Sequence, residues 1–290
     1  KLEKCIKRID AMLKKDDFRK EPALHIYQSM AWFKISETNS LNEQYPKALF
    51  KALKSANKCK EYDKSEKFIT KYRPFIERMH LRTMDVAYYE YDEEGHYNIA
   101  KKYYDEVVNL VNDTFALYMF GKCDVMNERE VEGFASIDQA VNAVYDGYLN
   151  KSFKRNKDFI PAFYDMSTYL LESAIIDSAL KTIIKGAKVF PNDDSIKTAY
   201  FEILKNYKFY CYHNRMLDKI LKEAIKAANT FPTDNAFIEL EKEVVYKLGE
   251  DMIIKGQYPY FENLFLMYTK RKRNGNTQIR ISKSNEMLVD

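Results

Sequence analysis

The sequence has few residues that interrupt helices, with only 8 Gly and 7 Pro among 290 residues. A β-sandwich or a dinucleotide-binding α/β domain of this length would need more glycine at its turns. The chain is also rich in Lys, Glu, Ala and Leu, which favour helices. The composition therefore predicts an all-α fold of long helices and short connections.

Cysteine is scarce, and long apolar runs are absent. Cys5, Cys59, Cys123 and Cys211 are widely separated and form no CxxC or Cys/His cluster, so we expect small apolar side chains on buried helix faces. The spacing does not indicate a disulfide framework, although a single disulfide remains an alternative. No segment reaches the ~18–20 apolar residues needed to cross a bilayer, which predicts no transmembrane segment.

The sequence also lacks the motifs of common active sites. It contains no GxSxG, P-loop, GxGxxG, HExxH or EF-hand pattern, and its four histidines do not have metal-ligand spacing. The carboxylate pairs Glu93–Glu94 and Asp193–Asp194 lie in predicted connections, where helix N-terminal charge and solvation explain them. We predict a protein that is not an enzyme and that needs no cofactor or metal.

The charges and aromatic residues describe a packed helical surface. The 47 basic and 43 acidic residues give a formal net charge of +4 and are interleaved for most of the chain, which argues against a nucleic-acid partner. Of the aromatic residues, 23 are Tyr and 18 are Phe. Tyr can pack its ring while its hydroxyl group stays hydrated, which suits helices packed side by side.

The segment 160–193, "IPAFYDMSTYLLESAIIDSALKTIIKGAKVFPND", has the pattern of a helical hairpin. Two stripes of helical spacing are separated by a break around Ser173–Asp177. Small residues in both stripes let two antiparallel helices approach closely, and large residues fill the remaining space. The residues of this pattern are Phe163, Met166, Ser167, Leu170, Ala179, Ile183, Gly186 and Pro191.

These residues resemble the tetratricopeptide repeat (TPR) family. The TPR unit has 34 residues in two helices, with large and small positions in this register and a closing proline. Ser167 departs from the usual Gly and Gly186 from the usual Ala, but both keep the side chain small. The resemblance implies an α-solenoid of about six stacked antiparallel helix hairpins over residues 1–269, with possible sub-blocks 1–80 and 81–269. A helical bundle outside the TPR family is the alternative.

Other units match this pattern less closely. The turn "AKVFPND" at 187–193 returns as "ANTFPTD" at 228–234, which predicts that Pro191 and Pro232 each end a second helix and that Asp193 and Asp234 start the next. An upstream pair, "ALHIYQSMAWFKIS" and "YPKALFKALKSANKC", has an expanded loop between its helices. We expect a further first helix to pack through Leu81, Met84, Ala87 and Tyr88.

The TPR resemblance also implies a binding surface. The first helices of stacked TPR hairpins line a concave face that captures a peptide or a partner helix. The mixed charge of this face argues against the TPR type that grips an acidic C-terminus with concentrated basic residues. Carried over by position, the face includes Arg82, Tyr89, Glu90, Tyr118, Lys122, Tyr164, Thr168, Glu172, Thr198, Glu202 and Lys205.

The tail at 270–290 has six basic residues and no acidic residue before Glu286. Three interpretations remain open: a flexible solvated tail, docking onto a partner as an added strand through Gln278–Ser282, and electrostatic binding to nucleic acid or anionic lipid. The candidate contact residues are Lys270, Arg271, Lys272, Arg273 and Arg280.

The leading functional hypothesis is a non-catalytic scaffold or adaptor in a larger protein complex, as a soluble subunit of a membrane-associated secretion or cell-envelope assembly. A peptide-sensing TPR-like regulator and a glycan-binding TPR lipoprotein that partners an outer-membrane transporter are the alternatives. The chain begins at Lys1, already inside an amphipathic pattern. A cleaved signal peptide would explain this and favours the periplasm or cell envelope, whereas truncation of a longer cytosolic chain is the other explanation.

Overall fold

The computed structural model describes residues 1–257 together with Pro259, Glu262 and Leu266. Over this part of the chain the regular elements are α-helices, apart from 3-10 helices at Asp16–Phe18 and Lys157–Phe159. The all-α prediction is confirmed. The α-helices are α1 (Leu2–Leu13), α2 (Pro22–Ser36), α3 (Asn39–Gln44), α4 (Ala48–Tyr62), α5 (Lys67–Lys71), α6 (Arg73–Asp92), α7 (Tyr97–Val111), α8 (Thr114–Met126), α9 (Glu130–Leu149), α10 (Ile160–Glu172), α11 (Ile176–Val189), α12 (Asp194–His213), α13 (Leu217–Thr230) and α14 (Asn235–Ile254).

The chain forms two compact units, Lys1–Tyr169 and Leu170–Asp290. In the first unit α2 packs against α4, α6 against α7, and α8 against α9. Helix α7 also packs against α4 and α8, so consecutive pairs share their apolar faces. The short helix α3 occupies the expanded loop that the sequence predicts between α2 and α4. This pairing is the architecture of a helical repeat.

The core of the first unit comes from apolar side chains that recur at helical spacing. One cluster joins Phe33 of α2, Leu53 of α4, Met79 of α6 and Leu110 of α7. Full burial of each large apolar side chain stabilises the fold by about 1.5–3 kcal/mol. Helix α1 adds Ile6 to a neighbouring cluster with Ile35. The pairs therefore hold one another in place mainly through side chains on their inner faces.

Helices α8 and α9 approach most closely at Gly121 and Gly133. A Cβ atom on Gly121 would lie 2.6 Å from the Gly133 carbonyl oxygen, and one on Gly133 would lie 2.7 Å from the Gly121 oxygen. No side chain fits at either position, because real Cβ atoms do not approach backbone oxygens this closely. Gly121 and Gly133 are twelve positions apart, as are the small residues Ser167 and Ala179 of the 160–193 pattern. The α8–α9 pair thus uses the small-residue spacing of a TPR unit.

A buried ion-pair cluster connects α7, α8 and the turn that follows α8. Asp124 is almost fully buried. Its carboxylate oxygens lie 2.5 Å from the Lys101 Nζ and 2.8 Å from a guanidinium nitrogen of Arg129. The Arg129 backbone N–H also donates to the Asp124 carbonyl oxygen at 2.9 Å. Two cations around one carboxylate compensate its loss of hydration. This cluster fixes the start of α9 relative to α8.

In the second unit α12 packs against α11 and α13, and α13 packs against α14. Both Phe-Pro turns have the predicted form. Helices α11 and α13 end directly before Phe190 and Phe231, which are both buried. The ring of Phe231 contacts Tyr200 and stacks on Phe237, with ring centroids 5.9 Å and 4.8 Å away. These turns therefore close one helix and anchor it to its neighbours.

The helices after the two turns begin as the sequence predicts. The Asp193 carboxylate accepts hydrogen bonds from the N–H groups of Ser195 and Ile196, at 3.0 and 3.1 Å. The Asp234 carboxylate accepts one from Ala236 at 2.9 Å. The segment 160–193 itself forms α10 and α11, with a break close to the predicted one.

The predicted packing stripe of α6 is right at Ala87, which is buried, but wrong at Leu81 and Tyr88. Leu81 is 64% exposed and Tyr88 is 50% exposed, whereas the buried side chains of the helix are Ile76, Met79, Thr83 and Ala87. Helix α6 begins at Arg73 and carries large apolar residues on several sides, so its apolar pattern does not select one register. The cysteine prediction holds for Cys59, Cys123 and Cys211, which are buried, but Cys5 is exposed.

Candidate partner-binding face

The predicted site residues of α6 lie on an accessible part of the helix. Arg82 and Tyr89 are exposed. The Tyr89 hydroxyl group donates to Glu94 Oε1 at 2.6 Å, and this bond together with the negative charge of Glu94 raises the pKa of Tyr89. Glu90 is half-buried and its Oε2 lies 2.9 Å from His96 Nδ1. Both contacts tie the end of α6 to the turn before α7.

The predicted site residues of α8 meet a residue that sequence reasoning missed. The Tyr118 hydroxyl group and the Lys122 ammonium group both donate to Asp165 Oδ2 of α10, at 3.0 and 2.9 Å. Tyr118 is only 4% exposed, so its side chain contacts Asp165 within the unit. Burial and then the Asp165 charge raise the pKa of Tyr118 well above its usual value. Asp165 is thus the polar centre of this face.

A further tyrosine, the half-buried Tyr91, borders this polar centre. Burial raises the pKa of Tyr91 to about 12, with smaller contributions from nearby Cys123, Tyr97 and Asp165. These phenols stay protonated near neutral pH. Tyr118 donates a hydrogen bond to Asp165 and the Tyr91 ring packs against Tyr97, and none of these contacts activates either phenol as a nucleophile or a base.

The predicted residues of α10 differ in accessibility. Tyr164 is 46% exposed, Thr168 is half-buried and Glu172 is exposed. The ring of Tyr169, on the same helix, stacks on Phe134 of α9 with centroids 3.8 Å apart. Tyr164 is therefore free of the packing that fixes Tyr169 and lies available to a partner.

In the second unit the predicted residues lie on α12. Thr198 and Glu202 are exposed. The Lys205 ammonium group donates to both carboxylate oxygens of Glu202 at 3.2 Å. An ion pair at this exposure contributes little to stability. The predicted tail contacts Lys270, Arg271, Lys272, Arg273 and Arg280 lie outside the described residues.

The described residues offer neither a metal-binding cluster nor a membrane-spanning helix. In that part of the chain, no group of three or more His, Cys, Asp or Glu side chains could hold a metal ion. Within the same residues, no helix is both long enough and apolar enough to span a bilayer.

The repeated antiparallel pairs define an all-α helical-repeat protein with TPR-like close packing at α8–α9. No protein-family model matches the chain, and no curated protein matches it. We therefore base the fold class on the chain's own helix pairs.

Solved structures similar to this chain include a TPR protein, an APC/C assembly and an IFIT1 complex. YrrB, described as a TPR protein with an unusual peptide-binding site, is 15% identical over 81% of this chain and 97% of its own, with a TM-score of 0.33. The APC/C hetero-tetramer Cut9–Hcn1 is 12% identical over 84% of this chain and 46% of that one, with a TM-score of 0.34. The human IFIT1 dimer with m7Gppp-AAAA is 14% identical over 90% of this chain and 54% of that one, with a TM-score of 0.30.

Proposed function

We propose that this protein is a non-catalytic scaffold or adaptor that binds a protein partner through the first helices of its hairpins. The observation that carries this proposal is the location of its exposed aromatic side chains. Among the described residues, the exposed helical aromatics other than Phe18 all lie on first helices: Tyr27, Tyr88, Tyr89, Tyr164, Phe209 and Tyr210. Among the described second helices, the large hydrophobic residues that are exposed are aliphatic, such as Val131.

Exposed aromatic side chains are typical of binding surfaces. Tyr and Phe bury a large area on binding and lose little conformational entropy, so they are enriched in protein interfaces. A soluble monomer has no stability reason to confine them to one helix of each pair. This distribution supports a partner-binding role for Tyr89 and Tyr164, which are among the predicted first-helix residues.

We further propose that the partner belongs to a membrane-associated secretion or cell-envelope assembly. The support is the absence of active-site motifs in the sequence together with the repeat architecture, which suits a subunit that joins other proteins. In this proposal the chain acts by holding a partner in place, and catalysis is carried out elsewhere in the assembly.

Site-specific photocrosslinking tests both parts of the proposal. A photoreactive phenylalanine analogue replaces Tyr89 of α6, Tyr164 of α10 or, as the matched control, the 73% exposed Val131 of α9. In cells that express the protein, Tyr89 and Tyr164 should give one discrete crosslinked species, and Val131 should not. Equal crosslinking at all three positions, or none, would contradict the scaffold role. A crosslinked species that stays out of the membrane fraction would remove the membrane-associated part alone.

A further inference from the structure

One face of α6 forms an exposed stripe that the fold leaves without a partner. Glu77, Leu81, Asp85, Tyr88 and Asp92 follow one another at spacings of three and four residues, and all five are exposed. We call these residues the α6 stripe. They lie opposite the buried side of the helix, which carries Ile76, Met79, Thr83 and Ala87. At 1.5 Å per residue the stripe is about 22 Å long.

The α6 stripe alternates negative charge with apolar surface. Carboxylates at Glu77, Asp85 and Asp92 are separated by the side chains of Leu81 and Tyr88, which are 64% and 50% exposed. The nearby Arg78 guanidinium lies 3.4 Å from the carboxylate of Glu37, the residue that follows α2. Among the described residues, none of the three carboxylates has an ion-pair partner within 4 Å. The negative charge of the stripe therefore faces solvent.

The position of Asp92 costs helix stability. Asp92 lies in the last turn of α6, followed by Glu93 and Glu94, and that turn has no basic residue. Carboxylates at a helix C-terminus oppose the helix dipole, which favours cations there. The charge of Asp92 also raises the pKa of Tyr88, with smaller effects from burial and from the hydrogen bond between the two side chains. A cation placed at this end would relieve the unfavourable interaction between Asp92 and the helix dipole.

We propose that the α6 stripe docks a basic amphipathic helical segment of the partner protein. Lys or Arg side chains of that segment would lie opposite Glu77, Asp85 and Asp92, and its aliphatic side chains would pack against Leu81 and Tyr88. Helical spacing on both sides lets the two patterns coincide along several turns. The exposed Tyr88 ring adds a cation–π surface for the same side chains. This inference rests on the proposed function and names the chemistry of the partner.

The partner chemistry follows from charge complementarity. An acidic segment would place like charges against three carboxylates, which disfavours binding. A purely apolar segment would leave the carboxylates desolvated without compensation. A segment that is both basic and apolar can pair with the three carboxylates and pack against Leu81 and Tyr88.

A peptide-display selection on the full-length chain tests the inference. Helical peptides of random composition are selected on the wild type, and their affinities are then measured for two triple variants. The first variant, Glu77→Gln/Asp85→Asn/Asp92→Asn, neutralises the stripe. The second, Glu43→Gln/Glu61→Gln/Glu132→Gln, changes the net charge equally at exposed positions elsewhere in the same unit.

We expect the selected peptides to carry Lys or Arg at spacings of three and four residues, with apolar residues between them. Neutralising the stripe should weaken binding about tenfold, because three exposed charge contacts are lost. The control triple should weaken it less than about twofold, and Leu81→Ser should weaken it without changing the net charge. Circular dichroism should find equal helix content in all variants.

Several results would overturn the inference. Equal losses in the two triple variants would indicate a general charge effect, and selection of acidic peptides would indicate another site. A mass in solution that doubles with wild type and returns to that of a monomer with Leu81→Ser would identify a second copy as the occupant. If selected peptides bind the stripe-neutral variant as well as wild type, the inference fails, but the scaffold role stands. That role fails separately, through absent crosslinking at Tyr89 and Tyr164.

Discussion

At the residue scale, Asp113 shows how one side chain can serve two contacts. Its Oδ1 accepts the Ala116 N–H at 2.8 Å and caps α8, while its Oδ2 lies 2.9 Å from His80 Nε2 of α6. Burial by itself would raise the pKa of Asp113. The bonds from His80 and from the backbone outweigh that effect, so the pKa lies below its usual value.

The lowered pKa of Asp113 gives a pH-dependent prediction. A carboxyl group with a depressed folded-state pKa stabilises the fold above its unfolded pKa, near 4, and loses that contribution as pH falls through the folded value. Asp113→Asn keeps the cap but loses the charge, so we expect a destabilisation of about 1 kcal/mol at pH 6. The difference should shrink below pH ~4, as measured by urea unfolding from pH 6 downward.

Asp218, exposed on α13, supplies the control for this measurement. Asp218→Asn should change stability by less than about 0.5 kcal/mol at every pH. A difference between wild type and Asp113→Asn that stays constant down to the lowest pH would contradict the assigned role of the charge.

The candidate site could be predicted only in part at this scale. Tyr89 and Tyr164 are accessible, in agreement with their predicted position. Tyr118 is buried, and its hydroxyl group donates a hydrogen bond to Asp165, which lies 47 residues further along the chain. Helical spacing orients a side chain relative to its own helix, but it does not reveal which side chain from another hairpin will cover it.

At the element scale, α8 and α9 approach each other closely at Gly121 and Gly133. Replacing Gly by Ala in a helix normally stabilises it by about 0.5–1 kcal/mol. Gly121→Ala should instead destabilise the protein by about 1–3 kcal/mol, since the added Cβ would press on the Gly133 carbonyl group and force the helices apart. Urea unfolding of the variant and the wild type measures whether the free energy of unfolding falls or rises.

The exposed Ala135 of α9 gives the matched comparison. Ala135→Gly should cost about 0.5–1 kcal/mol through helix propensity alone. If Gly121→Ala is as stable as wild type or more stable, the close approach of the two helices is not rigid.

Elements with local signals were predictable, and elements that depend on neighbours were not. The two Phe-Pro turns combine a proline, which cannot continue a helix, with an aspartate that caps the next one. Each turn is contained in a segment of seven residues, so the ends of the flanking helices could be predicted closely from the sequence. Helix α6 offers apolar and aromatic residues on several sides, so only the helices packed against it decide that Met79 is buried and Leu81 is exposed.

At the scale of the whole molecule, a helical repeat derives its stability from contacts between neighbouring elements. Helix α1 packs mainly against α2, whereas α8 packs against both α7 and α9. We therefore expect the amides of α1 to exchange hydrogen faster than those of α8, because opening α1 breaks fewer contacts. Hydrogen–deuterium exchange with mass spectrometry compares the two helices in the same sample. Equal protection of α1 and α8 would contradict this gradient.

The fold class is a property of the whole chain and was predictable from composition and spacing, since few breakers and repeated small residues leave few alternatives to stacked helix pairs. The proposed partner could not be predicted in the same way. Its chemistry depends on which exposed side chains lie together on one face. That depends on the register of helices such as α6, which the sequence pattern does not determine.

The four cysteines also determine how this protein can be labelled. Burial raises the pKa of Cys59 and of Cys123 to about 12 and also raises that of Cys211, so their thiols are both shielded and unreactive near neutral pH. Cys5 is exposed. A maleimide dye should therefore attach to the native protein at this one position, which gives a fluorescent reporter on α1 without mutagenesis and at a distance in sequence from α6.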